Sequence, residues 1–313
     1  MKATKMAGRK PTLSDKFWLF LHKHDSFAKS CFELRLAAVG GKVWRTEYLI
    51  DKLRATQHPD AEDEIGYAMQ KAGSYGQTEI LRLMADKKCG LTLWRQPQQE
   101  QRRFRSKARR DAYMKSAAYR LEQAEIARLQ KLNWREIAFL HAVTYDRRDA
   151  AAFLLESGVK ADIDGGRALL LAASKDFRAM TALLLDKGAD PSKNNGEAYH
   201  RAVHHDAARM FGEGCLDPLL ARPVDLPKQV MEAILTTALK ENNLYLPTVE
   251  KVLNFALRMT DKADVRPFLA LSAVQQNTAV YERLREYQDI CDALPLPARQ
   301  KKSAPPHRPR NKI

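Results

Sequence analysis

Residues 165–191 read GGRALLLAASKDFRAMTALLLDKGADP, and the apolar spacing in this stretch describes two short helices. Leu169, Leu170, Ala172 and Ala173 line the first with a small-residue face, and Met180, Leu183, Leu184 and Leu185 give the second its apolar stripe. Lys175-Asp176-Phe177 turns the chain between them, so the helices return antiparallel. Gly188 stands where the C-cap of the second helix needs a left-handed backbone, which a residue without Cβ adopts at least cost. Asp190-Pro191 then stops the helix and opens a turn. The unit is helix, turn, helix, loop.

Working outward, 134–162 reads WREIAFLHAVTYDRRDAAAFLLESGVKAD, with Leu140-His141-Ala142 in a first helix, Phe153-Leu154-Leu155 in a second and Gly158 at its cap. Residues 196–211, GEAYHRAVHHDAARMF, repeat the first helix and then lose the pattern. His141, Leu170 and His200 lie 29 and 30 residues apart, so the connecting loops are short. Looser copies occupy 67–90, with a turn at Gly76 and the stripe Ile80-Leu81-Leu83, and 32–53, where Arg35 precedes the matching Gln70 by 35 residues. Further helix pairs are expected at 228–257, around Leu246-Pro247, and at 267–284.

These segments resemble the ankyrin repeat, most closely over 134–211, where L-L-L-x-x-G-A-D-P is matched at 183–191 and the T-P-L-H portion only loosely. The resemblance implies an all-α solenoid in which neighbouring helix pairs bury a continuous core and present a long face of first helices and loop tips to another protein. It places partner contacts at Lys160, Asp164, Arg167, Lys193, Asn194, Tyr199 and Arg201. Leu169, Leu183, Leu184, Gly188, Ala189 and Asp190 are the structural set.

Composition agrees with helix. Hydrophobic residues make up 45% and aromatics only 8%, with Leu and Ala dominating the periodic stretches. Phe17-Trp18-Leu19-Phe20-Leu21 ends at once in His22, Lys23, His24 and Asp25, too short a run for a membrane span or signal peptide. Cys31, Cys89, Cys215 and Cys291 have no CxxC spacing and read as reduced thiols, which makes the chain cytoplasmic, with delivery into a host cell as an effector the alternative.

The formal charge of +15 is unevenly placed. Residues 1–16 hold five basic and one acidic side chain, 95–131 eleven and four, and 298–313 six and none, so the remainder is close to neutral. The expected organisation is a flexible basic N-terminus at 1–13, N-terminal helices and degenerate repeats at 14–94, and a basic helical insert at 95–131. Ankyrin-like repeats follow at 132–215, looser helical repeats at 216–292 and a disordered basic tail at 293–313. In the insert, Tyr113, Ala117, Leu121, Ala124 and Leu129 are expected along one apolar stripe. Its cluster Arg102, Arg103, Arg105, Lys107, Arg109 and Arg110 is either a solvated helix face or a contact for nucleic acid or another polyanion.

His200, His204, His205 and Asp206 have the spacing of metal ligands on a helix, but His200 falls where an ankyrin first helix carries a structural histidine, so no metal is assigned. No G-x-S-x-G, phosphate loop, dinucleotide fingerprint or H-E-x-x-H occurs. The expectation is therefore a protein-binding scaffold, not an enzyme, with no cofactor and no catalytic residue. Deleting 95–112 removes about five net positive charges. If the cluster binds phosphate, the shortened chain elutes from heparin at lower salt and with a shallower salt dependence than a chain lacking the similarly charged 298–313 tail.

Overall fold

The structure, a computed structural model, describes residues 12–22, 24–92, 115–208, 213–222, 224, 226–240, 246–259 and 263–293. Among them there are helices and no β-strand, in two compact units within 1–224 and 225–313. The arginine and lysine cluster at 102–110 lies outside the described residues, as do 1–11 and 294–313 of the terminal segments expected to be flexible and disordered, whereas Leu13 and Ala293, placed in those segments, belong to helices.

The first unit holds α1 (Leu13–His22), α2 (Phe27–Val39), α3 (Val43–Ala55), α4 (Ala61–Tyr75), α5 (Thr78–Asp86) and α6 (Ala117–Leu129). It continues with α7 (Trp134–Thr144), α8 (Arg148–Glu156), α9 (Ile163–Ser174), α10 (Arg178–Asp186), α11 (Lys193–Ala208) and α12 (Leu216–Ala221). Four of these end identically. The N–H groups of Lys42, Gln77, Arg147 and Phe177 donate back to the carbonyls of Ala37, Ala72, Ala142 and Ala172 at 2.8–3.0 Å. The residue before each donor, Gly41, Gly76, Asp146 or Asp176, is left-handed, with φ between 52° and 71°. Each donor then starts the next helix with φ between −80° and −87° and ψ between 73° and 78°. The second helices close similarly: Cys89, Val159 and Ala189 donate to Met84, Leu154 and Leu184 after left-handed Lys88, Gly158 and Gly188.

The four acceptor alanines lie 35, 70 and 30 residues apart, which sets the register. Gln70, Leu140, Leu170 and His200 share one position, while His141 falls with Lys71, Leu171 and Arg201. Matching His141 to Leu170 and His200 was therefore one residue out: the two copies cap through Ala142 and Ala172, thirty apart, not twenty-nine.

Each of α2, α4, α7 and α9 packs on the next member of the series, ending at α11, and each of α3, α5, α8 and α10 does so ending at α12. Within each pair the two helices also meet. Leu34, Leu53, Ile65, Met69, Ile80, Phe139, Leu154, Leu169 and Leu184 are buried in this packing, whereas Leu183, assigned to the structural set, is half-buried. Helix α12, grouped by sequence with the C-terminal repeats, packs against α10 and α11.

Contact between α4 and α7 is unusually close. A Cβ on Gly66 would stand 2.2 Å from the Trp134 ring, and one on Gly73 would stand 2.4 Å from the Ala138 carbonyl oxygen. Trp134 is fully buried and its indole N–H donates to Asp63 at 3.1 Å. Helix α6, chain-wise between α5 and α7, carries no buried residue. The apolar stripe expected there is out of register: Ala117, Leu121 and Ala124 are exposed, and Leu121 is 71% so. The half-covered side instead runs through Tyr119, Glu122, Gln123, Ile126 and Leu129, because Glu125 and Arg128 make ion pairs that orient the helix.

The second unit contains α13 (Lys228–Lys240), α14 (Leu246–Ala256), α15 (Arg266–Leu269), α16 (Ser272–Gln276) and α17 (Thr278–Ala293). Helix α14 packs on α13 and α17, burying Leu235, Val252, Leu253, Phe255, Leu284 and Tyr287. The pair expected at 267–284 is two short helices followed by a long one.

Gly73 decides a sign. In a helix interior, Gly→Ala gains up to about 1 kcal/mol, but overpacking against a neighbouring backbone costs about 1–3 kcal/mol. Gly73→Ala is expected to lower the melting temperature, and a rise would show that α4 and α7 are not in contact.

Candidate functional site

Short loops, 157–162 and 187–192, lead from one helix pair to the next. Each is followed by three consecutive left-handed residues, Asp164-Gly165-Gly166 and Asn194-Asn195-Gly196, at φ between 52° and 84°. Asp, Asn and Gly are the residues that adopt this conformation at least cost, so the composition of IDGG and KNNG specifies the corner. The two corners are tied together. Asp162 accepts from the Asp190 N–H at 2.8 Å, and the Asn194 amide donates to the Gly165 carbonyl at 2.8 Å. Asp190 accepts from the Ser192 N–H and hydroxyl at 2.9 and 2.6 Å, and these bonds hold its carboxyl below the usual range. Lys160, Lys193 and Asn194 thus stand exposed on a hydrogen-bonded edge.

The remaining residues proposed from sequence divide three ways. Arg201 is exposed on α11, 2.9 Å from Glu197. Tyr199 is fully buried and cannot contact a partner, because α11 packs against both α9 and α12 and this position lies inside that packing rather than toward solvent. Asp164 and Arg167 are already engaged by α6: Arg128 pairs with both Glu125 and Asp164, and Arg167 lies 3.7 Å from Glu125 and 3.9 Å from Asp164. Two arginines and two carboxylates alternate there, so the insert satisfies charges that the sequence reading had offered to another protein.

Three exposed side chains were missed. Tyr75 and Tyr145 occupy equivalent positions beside left-handed Gly76 and Asp146, and are 55% and 53% exposed. Lys175 is next in the series; its ammonium donates to the Thr144 carbonyl at 2.9 Å and lies 5.8 Å from the Tyr145 ring centroid. Tyr75 and Tyr145 lie seventy residues apart and Tyr145 and Lys175 thirty, an equivalence that emerges only once the capping bonds to Ala72, Ala142 and Ala172 fix the register.

His141 and His205 link neighbouring helices. His141 Nε2 is 2.6 Å from the Gln70 amide and its Nδ1 3.1 Å from the Ser74 hydroxyl, linking α7 to α4, while burial and nearby Lys71 hold its imidazole below the ordinary value. His205 Nε2 meets the Ser174 carbonyl at 3.0 Å, and His204 is exposed. Among the described residues no three His, Cys, Asp or Glu side chains gather as metal ligands. Cys31, Cys89 and Cys215 are buried, and burial pushes the thiols of Cys31 and Cys89 up to about 11. No described helix is long and apolar enough to cross a membrane. No family model matches the chain, and no curated protein or solved structure matches it either.

The hydrogen bond from Arg128, opposed by burial, holds Glu125 below its ordinary value of 4.5. A lowered carboxylate stabilises the fold above its unfolded pKa and loses that contribution as pH falls through the folded one. Glu125 and Arg167 are each more than a third exposed, so solvent screening keeps the network to about 1 kcal/mol. Arg128→Met is accordingly expected to cost about 1 kcal/mol in urea melts at neutral pH, with the deficit shrinking as the pH is taken below 4.5. A deficit independent of pH would mean that the arginine acts through packing alone.

Proposed function

We propose that this chain is an ankyrin-type protein–protein interaction scaffold without catalytic activity, and that α2 to α5 and α7 to α12 are five stacked helix pairs of one solenoid. The observation that carries the reading is the repeated corner: the same bond to an alanine carbonyl, after a left-handed glycine or aspartate at the same position, closes four first helices. Identical corners pile helix pairs in one direction, and such a pile leaves its loop tips and first-helix residues on a common face.

On that face the candidates that remain open to solvent and charged are Lys160, Lys193 and Arg201, so the partner is a protein with an acidic surface. Tyr75 and Tyr145 stand exposed at the other, C-terminal ends of their first helices and are a separate patch of the rigid aromatic area that protein interfaces favour.

The test uses the full chain and a K160E/K193E/R201E variant as baits in quantitative affinity enrichment, with the retained protein then titrated as a pure component. All three side chains are exposed, so circular dichroism and melting temperature should match the parent. The partner's affinity should fall at least about tenfold, or ~1.4 kcal/mol. Equal affinity for both baits would remove this face from the interaction.

A further inference from the structure

Helix α1 is apolar on both sides and covered on one. Its inner side carries buried Trp18, which meets Tyr48 of α3 edge-on with ring centroids 6.2 Å apart and lies under the Arg45 guanidinium at 5.3 Å. On the outer side Leu13, Phe17, Phe20 and Leu21 follow the i, i+4, i+7, i+8 spacing of a single helical stripe, and they are 85%, 65%, 79% and 56% exposed. A helix apolar all round is normally buried all round, and an apolar patch left bare on a small element marks an interaction surface.

The surrounding charge narrows what the surface meets. Lys16 is exposed on α1, whereas Asp15, its one acidic residue, is bonded to Arg45 at 2.9 Å on the covered side. Read for charge alone, residues 1–11 add Lys2, Lys5, Arg9 and Lys10 and no acid. A second copy of the chain would bring these cations together. It would also find too little area: with Phe at 150–250 Å² when bare, the stripe offers about 400–500 Å², against about 800 Å² per partner in a stable dimer. A bilayer sets no such minimum, because acyl chains close around individual side chains, and anionic headgroups meet Lys16.

We propose that α1 docks the protein on an anionic lipid surface, with Leu13, Phe17, Phe20 and Leu21 at the boundary between headgroups and acyl chains and Lys16 among the headgroups. The helix has ten residues and lies on the surface, consistent with the lack of any described membrane-crossing helix. The docking is independent of the scaffold reading, since it uses none of Lys160, Lys193 and Arg201.

The experiment is co-sedimentation of the full chain with phosphatidylcholine vesicles and with mixed phosphatidylcholine and phosphatidylserine vesicles. The parent should bind the mixed vesicles, less well as salt rises, and not the neutral ones. F17S/F20S keeps every charge of the chain, including the basic segments elsewhere, and should bind the mixed vesicles at least about tenfold more weakly at an unchanged melting temperature. In a second measurement, Phe20→Trp should add a tryptophan signal that shifts to the blue with mixed vesicles and is quenched by brominated acyl chains. Absence of parental binding, equal binding by F17S/F20S, or an added indole signal that stays unshifted in F20W would overturn the proposal. So would self-association of the parent that F17S/F20S abolishes, which would give the stripe to a second copy.

Discussion

Helices α4 and α7 touch where Gly66 and Gly73 leave room for Trp134 and the Ala138 backbone, although residues 76–133 separate the two helices in the chain. The rest of the first unit depends on this approach. A side chain at either glycine would force the helices apart, uncover Trp134 and leave the pairs on either side each with a bare apolar face. The indole N–H bond to Asp63 and the link from Gln70 and Ser74 to His141 fix how α7 lies on α4 once they are close. Because the contact forms directly, residues between α5 and α7 can include a whole further helix without breaking the packing order.

Around that contact the chain reuses one local device. An alanine carbonyl accepts a bond from five residues ahead, across a left-handed glycine or aspartate, and the next helix starts at nearly constant dihedral angles. The device needs no particular side chain in the helix that follows, which is why strongly apolar copies and degenerate ones can share a geometry. Where the loops meet the next helix, Asp162 and Asn194 bond across to the neighbouring backbone, and Asp190 holds its own loop through Ser192. A fixed edge carrying exposed cations loses little conformational freedom on binding, the general condition for a preorganised interface.

Charge is sorted between internal and external use. Asp164, Arg167, Glu125 and Arg128 neutralise one another where α6 meets the edge, while Lys160, Lys187, Lys193 and Arg201 remain exposed along it. On α1 the same sorting turns Asp15 inward to Arg45 and leaves Lys16 outward beside bare Phe17 and Phe20. The two surfaces therefore differ in chemistry: one is a polar, cationic edge, the other an apolar stripe beside a cation.

Apolar period and turn residues by themselves determined the helices of 134–191, their cap glycines and the shortness of the loops, because a helix start, stripe and stop depend on residues within a few positions of one another. Lys160, Lys193 and Arg201, placed through the resemblance on loop tips and a first helix, are exposed. Register to the single residue was not legible: His141 was placed one position out, since the thirty-residue period shows only in which alanine carbonyl accepts the capping bond. Tertiary structure alone decided that Tyr199 is covered, that Asp164 and Arg167 belong to α6, and that α6 turns Leu121 to solvent. These depend on side chains brought together from about thirty or more residues apart, where a local pattern carries no information about which of two apolar or charged faces will find the partner.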